Sequence, residues 1–343
     1  MTVILGLESS CDDSAAALVT SDRRILSQAV VGQTDAHQPY GGVVPEIAAR
    51  AHVEILPGLI RRVLDDAKLS IDDVDAVAAT AGPGLIGGVM VALLAGKGLA
   101  LAAGKPLLAI NHLEGHALSP RLADPDLAFP YLLLLISGGH CQLLEVRGVA
   151  DYRRLATTID DAAGEAFDKA AKLLGLVYPG GPAIEQLAQT GDAAAVPLPR
   201  PLIGSPEPHF SFAGLKSAVQ RAVASGDHRR EDIAASFQQA VVDCLVDRTA
   251  QALGHSAAPT LVVAGGVAAN RAIRAALADL AASHGRAFSV PPAWLCTDNA
   301  AMIAWAGAER LAEGLTDPLD APARARWPLD EAAEKVRGAG VKA

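Results

Sequence analysis

Two histidines four residues apart, His112 and His116, carry the clearest chemical signal in this sequence. If the segment is helical, positions four apart lie on one face, so both imidazoles can bind one metal ion. Glu114 lies two residues from each histidine, and helical geometry turns it about 200° away from both. The zinc-protease motif H-E-x-x-H instead has its glutamate directly after the first histidine. The spacing therefore favours a metal site and disfavours a zinc protease.

A third candidate ligand, Asp298, lies far along the chain, where an apolar helical pattern begins. Two imidazoles and one carboxylate form an open three-ligand site that suits Zn or Fe(II). Other roles stay open for each residue. Asp298 could cap the helix N-terminus, and the two histidines could be a solvated helix face or a half-buried pair.

Composition limits the class of protein that can carry this site. With 343 residues, 51% of them hydrophobic, the chain can bury a large core, and two domains are expected. The four cysteines are scattered without a C-x-x-C pair, and the N-terminus has no signal-peptide pattern. We therefore expect a cytoplasmic protein. The apolar region from residue 85 to 110 contains Lys97 and Lys105, which predicts a buried helix followed by a strand and no membrane span.

The net charge of −9 argues against general affinity for nucleic acid, because phosphate binding needs concentrated Lys and Arg. An RNA partner would need a local basic patch or a helper protein. The C-terminal arginines Arg324, Arg326 and Arg337 are weak candidates for such a patch.

Strand-like and helical runs alternate along the chain, which predicts an α/β fold. Residues 3–19 follow the pattern strand, polar loop, strand, and residues 131–146 repeat it. The repetition predicts two similar lobes with a cleft between them. We expect an N-terminal lobe over residues 1–125, carrying the two-histidine motif, and a C-terminal lobe over 126–343, whose last helices can pack back on the first.

Glycine turns follow three of the predicted strands, at Gly82-Pro-Gly84, Gly138-Gly139 and Gly265-Gly266. A glycine turn that opens a helix favours a nucleotide, because free amides and the helix dipole converge there. None of the turns fits the Walker or the Rossmann pattern. Each turn alone is weak evidence, and three in this order are stronger.

Taken together, the motifs resemble those of the TsaD family, the tRNA threonylcarbamoyladenosine synthases once described as glycoprotein endopeptidases. The resemblance covers nearly the whole chain. Its motifs are GLESSCDD at residues 6–13, YGGVVPE at 40–46 with Arg50 and His52, AGPGL at 81–85, HLEGH at 112–116, SGGH at 137–140, DDAAGEAFDK at 160–169, YPGGP at 178–182, FSFAGLK at 210–216, GGVAANR at 265–271 and TDN at 297–299. One departure is Ala300, where many relatives have glycine.

The resemblance implies a two-lobed α/β fold of the actin/hexokinase/Hsp70-like (ASKHA) type, with a nucleotide and metal site in the interlobe cleft. It implies transfer of a threonylcarbamoyl group from threonylcarbamoyl-AMP to the N6 amine of the adenosine 3′ of the tRNA anticodon, with release of AMP. It also implies one divalent ion, Fe(II) favoured and Zn possible, held by His112, His116 and Asp298. Implied adenylate contacts are Leu135, Ile136, Ser137, Gly138, Gly139, Asp168, Gly181, Glu185 and Asn270.

Asp12, in the first polar loop, is our candidate for the base that accepts the amine proton, with Asp13 beside it. Aspartate in a tight turn also commonly bonds only its own backbone, so a local structural role stays open. The resemblance further implies tRNA, a paralogous actin-like subunit (TsaB-like) and a small ATPase (TsaE-like) as partners, with ATP as an analogue of the adenylate and no membrane. Two other functions remain open: a metal-dependent peptidase and a non-catalytic ATP-binding scaffold.

Overall fold

The computed structural model describes residues 1–40 and 42–336, so Arg337 of the candidate basic patch lies outside the described residues. Strands β1 to β10 are Val3–Glu8, Asp13–Thr20, Ile25–Gly32, Ala76–Gly82, Leu107–Asn111, Tyr131–Ile136, Cys141–Gly148, Asp151–Thr157, Thr260–Ala264 and Ala287–Ser289. Helices α1 to α11 are Thr34–His37, Pro45–Ala67, Ile86–Ala103, His112–Ala123, Ala163–Leu173, Gly180–Ala188, Ala213–Ser225, Arg230–His255, Arg271–Ser283, Ala293–Cys296 and Ala300–Ala312.

The chain folds into two compact units. The first contains Met1–Ala128, Gly148–Asp151 and Thr297–Glu331, so helix α11 belongs with the N-terminal elements. The second contains Phe129–Arg147 and Tyr152–Cys296, with residues 332–336. Both histidines of the candidate metal site and Asp298 are therefore part of the first unit.

The first unit is built on a five-stranded sheet in the order β3-β2-β1-β4-β5. Strand β1 pairs antiparallel with β2 and parallel with β4, and β4 pairs parallel with β5. Every residue of β1, β4 and β5 is buried, as expected for strands covered on both faces. Helix α11 packs against β1, and this brings Asp298, just before the helix, to the carboxyl end of that strand.

The second unit repeats the arrangement, with its sheet in the order β10-β9-β6-β7-β8. Strand β6 pairs antiparallel with β7 and parallel with β9, just as β1 pairs with β2 and β4. The predicted α/β fold and its two strand-loop-strand openings are confirmed. Glycine-rich turns come at the carboxyl ends of β6 and β9, which lie at the same edge of the sheet because the two strands are parallel.

Helix α3 differs from the fully buried helix that its composition predicts. Gly88 and Gly96 allow it to lie directly on the sheet, because a Cβ atom would fall 2.4 Å from the Ser9 carbonyl oxygen and 2.7 Å from the Ala79 Cβ. Its opposite face stays exposed. Among the described helices, α3 alone is long and apolar enough to cross a bilayer, a weak criterion that core helices also meet.

Candidate metal centre and glycine loops

The three predicted metal ligands converge in the first unit. The Nε2 atom of His116 lies 3.1 Å from Oδ1 of Asp298, and the Nε2 atom of His112 lies 3.4 Å from the same oxygen. One ligand atom from each residue lies within 4.8 Å of the others. The structure thus joins residues that are more than 180 positions apart in the sequence.

Two asparagine caps place these ligands. Asn111 caps α4 by accepting a hydrogen bond from the Leu113 amide, so His112 and His116 occupy successive turns of one helix face. Asn299 caps α11 by accepting from the Met302 amide. The capping role that the sequence left open for Asp298 therefore belongs to Asn299, and the Asp298 carboxylate is free to face the histidines.

The arrangement fits a transition-metal ion. A four-coordinate ion with bonds of about 2.0–2.1 Å holds its ligand atoms about 3.3 Å apart, close to the two nitrogen–oxygen distances observed here. Two imidazoles and one carboxylate leave coordination positions open for substrate. The residues present are therefore suited to a divalent ion such as Fe(II) or Zn.

In the metal-free protein, charges in the group favour an ionised carboxylate beside a protonated imidazole. Burial opposes ionisation of Asp298, but the charge and hydrogen bonds of His112, followed by those of His116, hold its pKa well below the usual range. Burial alone would lower the pKa of His112, yet the carboxylates of Asp298 and Glu8 raise it well above its ordinary value. A metal ion would replace the proton that these carboxylates favour.

Glu114, between His112 and His116 in the sequence, pairs with an arginine of another helix. Its carboxylate is buried and pairs with Arg310 of α11 at 3.2 Å. This ion pair ties α4 to α11. It also removes Glu114 from consideration as the general base of a peptidase.

The first polar loop connects β1 to β2 and carries Asp12. His52 of α2 supports this loop: its Nε2 lies 3.1 Å from the Cys11 carbonyl oxygen, and its Nδ1 lies 2.7 Å from the Ser14 hydroxyl. Next to Asp12, burial and the negative charges of Asp298, Asp12 and Glu8 raise the pKa of Asp13 to about 7. This pair of aspartates is therefore part of the same electrostatic environment as Asp298.

In the second unit, the Ser137–Gly139 turn follows directly from the buried residues Leu135 and Ile136 at the end of β6. The Ser137 carbonyl oxygen accepts a hydrogen bond from the Gly164 amide at the start of α5, while Gly138 and Gly139 are exposed. Gly265, which follows β9 and has a φ of +91°, lies so close to the end of β6 that a Cβ atom would fall 2.5 Å from the Ile136 carbonyl oxygen. A side chain could not be accommodated there.

The other predicted adenylate residues lie around this edge of the second unit. Asp168 of α5 accepts from the Gly180 amide at 2.8 Å, which fixes the loop that continues into Gly181. Glu185 of α6 accepts from the backbone and side chain of Arg271 at the start of α9.

Asn270 caps α9 through Ile273, and its amide donates to Gln238. Residues 266–269 form a short 3₁₀ segment, so helix α9 begins a few residues later than its glycine turn suggests.

Sequence reasoning missed one functional candidate, Glu8. Its carboxylate has no exposed surface and lies 2.9 Å from Nδ1 of His112. Burial raises the pKa of Glu8, but the charge and hydrogen bond of His112 more than offset this and leave it lowered. A carboxylate at the end of an otherwise apolar strand was the available signal, because such a group is rarely buried without a partner.

Comparison with known proteins is consistent with this geometry. The family model for TsaD, tRNA N6-adenosine threonylcarbamoyltransferase, matches residues 24–305. A protein of that name from Sphingopyxis alaskensis is 74% identical over the whole of both chains. One from Novosphingobium aromaticivorans is 67% identical, again over the whole of both chains.

A solved structure gives the fold. Component A of (R)-2-hydroxyglutaryl-CoA dehydratase from Acidaminococcus fermentans matches with a TM-score of 0.56 at 17% identity, covering 91% of this chain and 100% of that one. At this identity the likeness concerns architecture alone. The predicted ASKHA fold is confirmed.

Proposed function

Because the chain belongs to the TsaD family of tRNA N6-adenosine threonylcarbamoyltransferases, we propose that its metal group and glycine loops serve this transfer. The activity of the chain is the formation of N6-threonylcarbamoyladenosine in tRNA. The convergence of His112, His116 and Asp298 is the observation that carries the proposal. A non-catalytic scaffold has no need of such a group, and a peptidase would need a base that Glu114 does not supply.

The reaction is an acyl transfer. The N6 amine of the adenosine 3′ of the anticodon attacks the carbamoyl carbon of threonylcarbamoyl-AMP, a C–N bond forms, and the C–O bond to phosphate breaks. AMP leaves, and the amine gives up a proton. The amine is a poor nucleophile because its lone pair is delocalised into the ring, so positioning must contribute much of the rate, roughly 7–11 kcal/mol in well-oriented cases.

The glycine turns of the second unit bind the adenylate in this proposal. Backbone amides of Gly138 and Gly139 face the phosphate and stabilise the departing AMP, while the Ser137 amide donates to the His140 carbonyl oxygen and shapes the turn. Leu135 and Ile136 hold the turn through strand β6. Asp168, Gly181, Glu185 and Asn270 complete the nucleotide site, and their hydrogen bonds to the starts of α6 and α9 support the placement of these helix N-termini.

The metal group holds one divalent ion, with Fe(II) favoured and Zn possible. Bound there, the ion would supply Lewis-acid polarisation and an anchor for substrate oxygens. Asp12 accepts the amine proton, and Asp13 assists it. A pKa near 7 for Asp13 in the metal-free protein supports only its assisting role, because a group exchanges protons best when its pKa is close to the working pH.

The protein works with partners in this proposal: tRNA, a paralogous actin-like subunit and a small ATPase. Its net charge of −9 supports a need for help in holding tRNA. Exposed apolar side chains on α2 and α3, among them Val53, Met90, Leu94 and Leu101, support the paralogue interface on these helices.

Reconstitution with labelled threonine, bicarbonate, ATP, tRNA, the adenylate-forming enzyme and the partner subunits tests the function. We expect His112→Ala and Asp298→Ala to reduce label transfer to tRNA at least about 100-fold while the variants stay folded. His284→Ala, an exposed histidine after α9, is the matched control and should keep full transfer. Full transfer by both ligand variants would contradict the proposal.

A further inference from the structure

We infer that Glu8 is a positioning residue for the metal centre, holding His112 in the one orientation and protonation form that can bind a metal ion. The inference rests on the proposed role of His112 as a ligand. It concerns a residue outside the ligand set, fixed to a different element, strand β1.

The position of Glu8 supports this directly. Oε2 of Glu8 lies 2.9 Å from Nδ1 of His112, and the Glu8 side chain is fully buried. An ionised carboxylate can only accept hydrogen bonds, so Nδ1 must be the donor. A neutral imidazole carries a single N–H. With that proton on Nδ1, the lone pair of Nε2 is available to bind a metal ion. That atom is the one that faces Asp298.

Glu8 is itself rigidly held. Oε1 accepts from the Ser10 amide at 2.5 Å, and Oε2 also accepts from the Thr80 hydroxyl at 2.6 Å. Strands β1 and β4 therefore fix the carboxylate before any ion is bound. Metal-ligating histidines commonly donate their second N–H to a carboxylate in this way, which raises ligand basicity and sets the ring orientation.

The other histidine shows why Glu8 matters. Nδ1 of His116 is buried and has no hydrogen-bond partner among the described residues. Its ring is oriented only by packing and by Nε2. The centre is thus asymmetric: Nδ1 of His112 has the Glu8 carboxylate at 2.9 Å and the Ser10 hydroxyl at 3.1 Å as partners, and the carboxylate is the one of the two that can only accept.

Glutamine at position 8 is the informative change, because it keeps the shape of the side chain and adds a donor. If its NH₂ group faces Thr80 and His112, it donates to Nδ1 and favours the tautomer with the proton on Nε2, the ligand atom, against which only the Ser10 hydroxyl beside Nδ1 could act. If the NH₂ group faces Ser10, two donors oppose each other in a buried site. Both arrangements weaken metal binding.

The test is zinc affinity of the full-length protein, measured by competition with a chromophoric chelator. We expect Glu8→Gln to bind zinc about 10–100-fold more weakly than wild type. Glu309→Gln is the matched control, because it removes a buried carboxylate of α11 that pairs with Arg121 of α4 and contacts none of the three ligands. It should lose stability and keep zinc affinity within about threefold.

Zinc affinity of Glu8→Gln equal to wild type would overturn the inference while leaving the metal site intact. Equal affinity in His112→Ala would instead overturn the ligand assignment, and the role of Glu8 with it. Should Glu8→Gln not fold, ring ¹⁵N spectra of zinc-loaded wild type decide the question. A protonated Nδ1 on His112 is expected, and zinc bound through Nδ1 would refute the inference.

Discussion

At the scale of single residues, the candidate metal centre places several carboxylates close to two imidazoles. The charge of Asp298 acts to raise the pKa of both Glu8 and Asp13, and the charge of Glu8 acts to raise that of Asp13. Without a cation, burial and the negative charges of its neighbours disfavour ionisation of Asp13 and raise its pKa to about 7. A divalent ion bound by His112, His116 and Asp298 would relieve the repulsion. Ion binding and the protonation of Asp13 are therefore coupled.

Asp13→Asn should make the metal-free protein more stable at pH 8 than wild type, on the order of 1–3 kcal/mol. The folded state holds the Asp13 proton up to about pH 7, whereas the unfolded chain releases it near 3.8. Wild-type stability therefore falls as pH rises between these values, and the variant does not share this loss. Urea unfolding from pH 5 to 8 in a chelator measures the difference.

The difference should shrink toward pH 5, because that pH lies only about one unit above the unfolded-state pKa and less of the pH-dependent destabilisation has accumulated there than at pH 8. Asp35→Asn, at an exposed position of α1, is the control and should follow the wild-type curve. A stability difference that does not change with pH would contradict the assigned pKa of Asp13.

At the scale of elements, the sequence predicts most of what positions the site. The helix carrying His112 and His116 and the strand before it are as predicted, because their periodicity and their cap are local features. The role of Asp298 could not be decided locally. Aspartate and asparagine are both good caps, and only the fold shows that Asn299 caps the helix while Asp298 turns toward α4.

Asn299→Ala should cost about 1 kcal/mol of stability through the lost cap and should also weaken zinc binding, because Asp298 is anchored by this helix start. Asn270→Ala removes the equivalent cap of α9 in the second unit. It should lose similar stability and keep its zinc affinity. Thermal unfolding combined with a zinc titration separates the two effects, and unchanged zinc affinity in Asn299→Ala would argue against the anchoring role.

Gly6→Ala tests the packing of α11 on β1. A Cβ atom there would lie 2.3 Å from the Ala300 carbonyl oxygen, so the helix must shift. We expect a loss of about 1–3 kcal/mol, measured by urea unfolding. Gly58→Ala, on α2 with nothing within 4 Å of the added atom, should instead be neutral or stabilising. Equal stability of the two variants would contradict this packing.

At the scale of the whole molecule, the α/β class and the internal duplication could be predicted from the two strand-loop-strand patterns. The environment of α3 could not. Its composition is that of a buried helix, and hydropathy alone does not show that one face stays uncovered. Leu94 is 56% exposed and Leu101 is 69% exposed, which supports a protein partner on this face.

Leu94→Glu and Leu101→Glu should each reduce capture of the paralogous subunit at least about tenfold in a pull-down, because a charge would be buried in the interface. Val223→Glu replaces an exposed apolar residue on α7 of the second unit and should leave capture unchanged. Normal capture by both leucine variants would place the interface elsewhere.

The most direct test of the account is crystallographic, with anomalous diffraction collected at the iron and zinc absorption edges from protein purified without chelator. We predict one anomalous peak at about 2.0–2.2 Å from Nε2 of His112, Nε2 of His116 and an oxygen of Asp298. A peak bound by other residues, or none in crystals of protein that still modifies tRNA, would contradict the central claim.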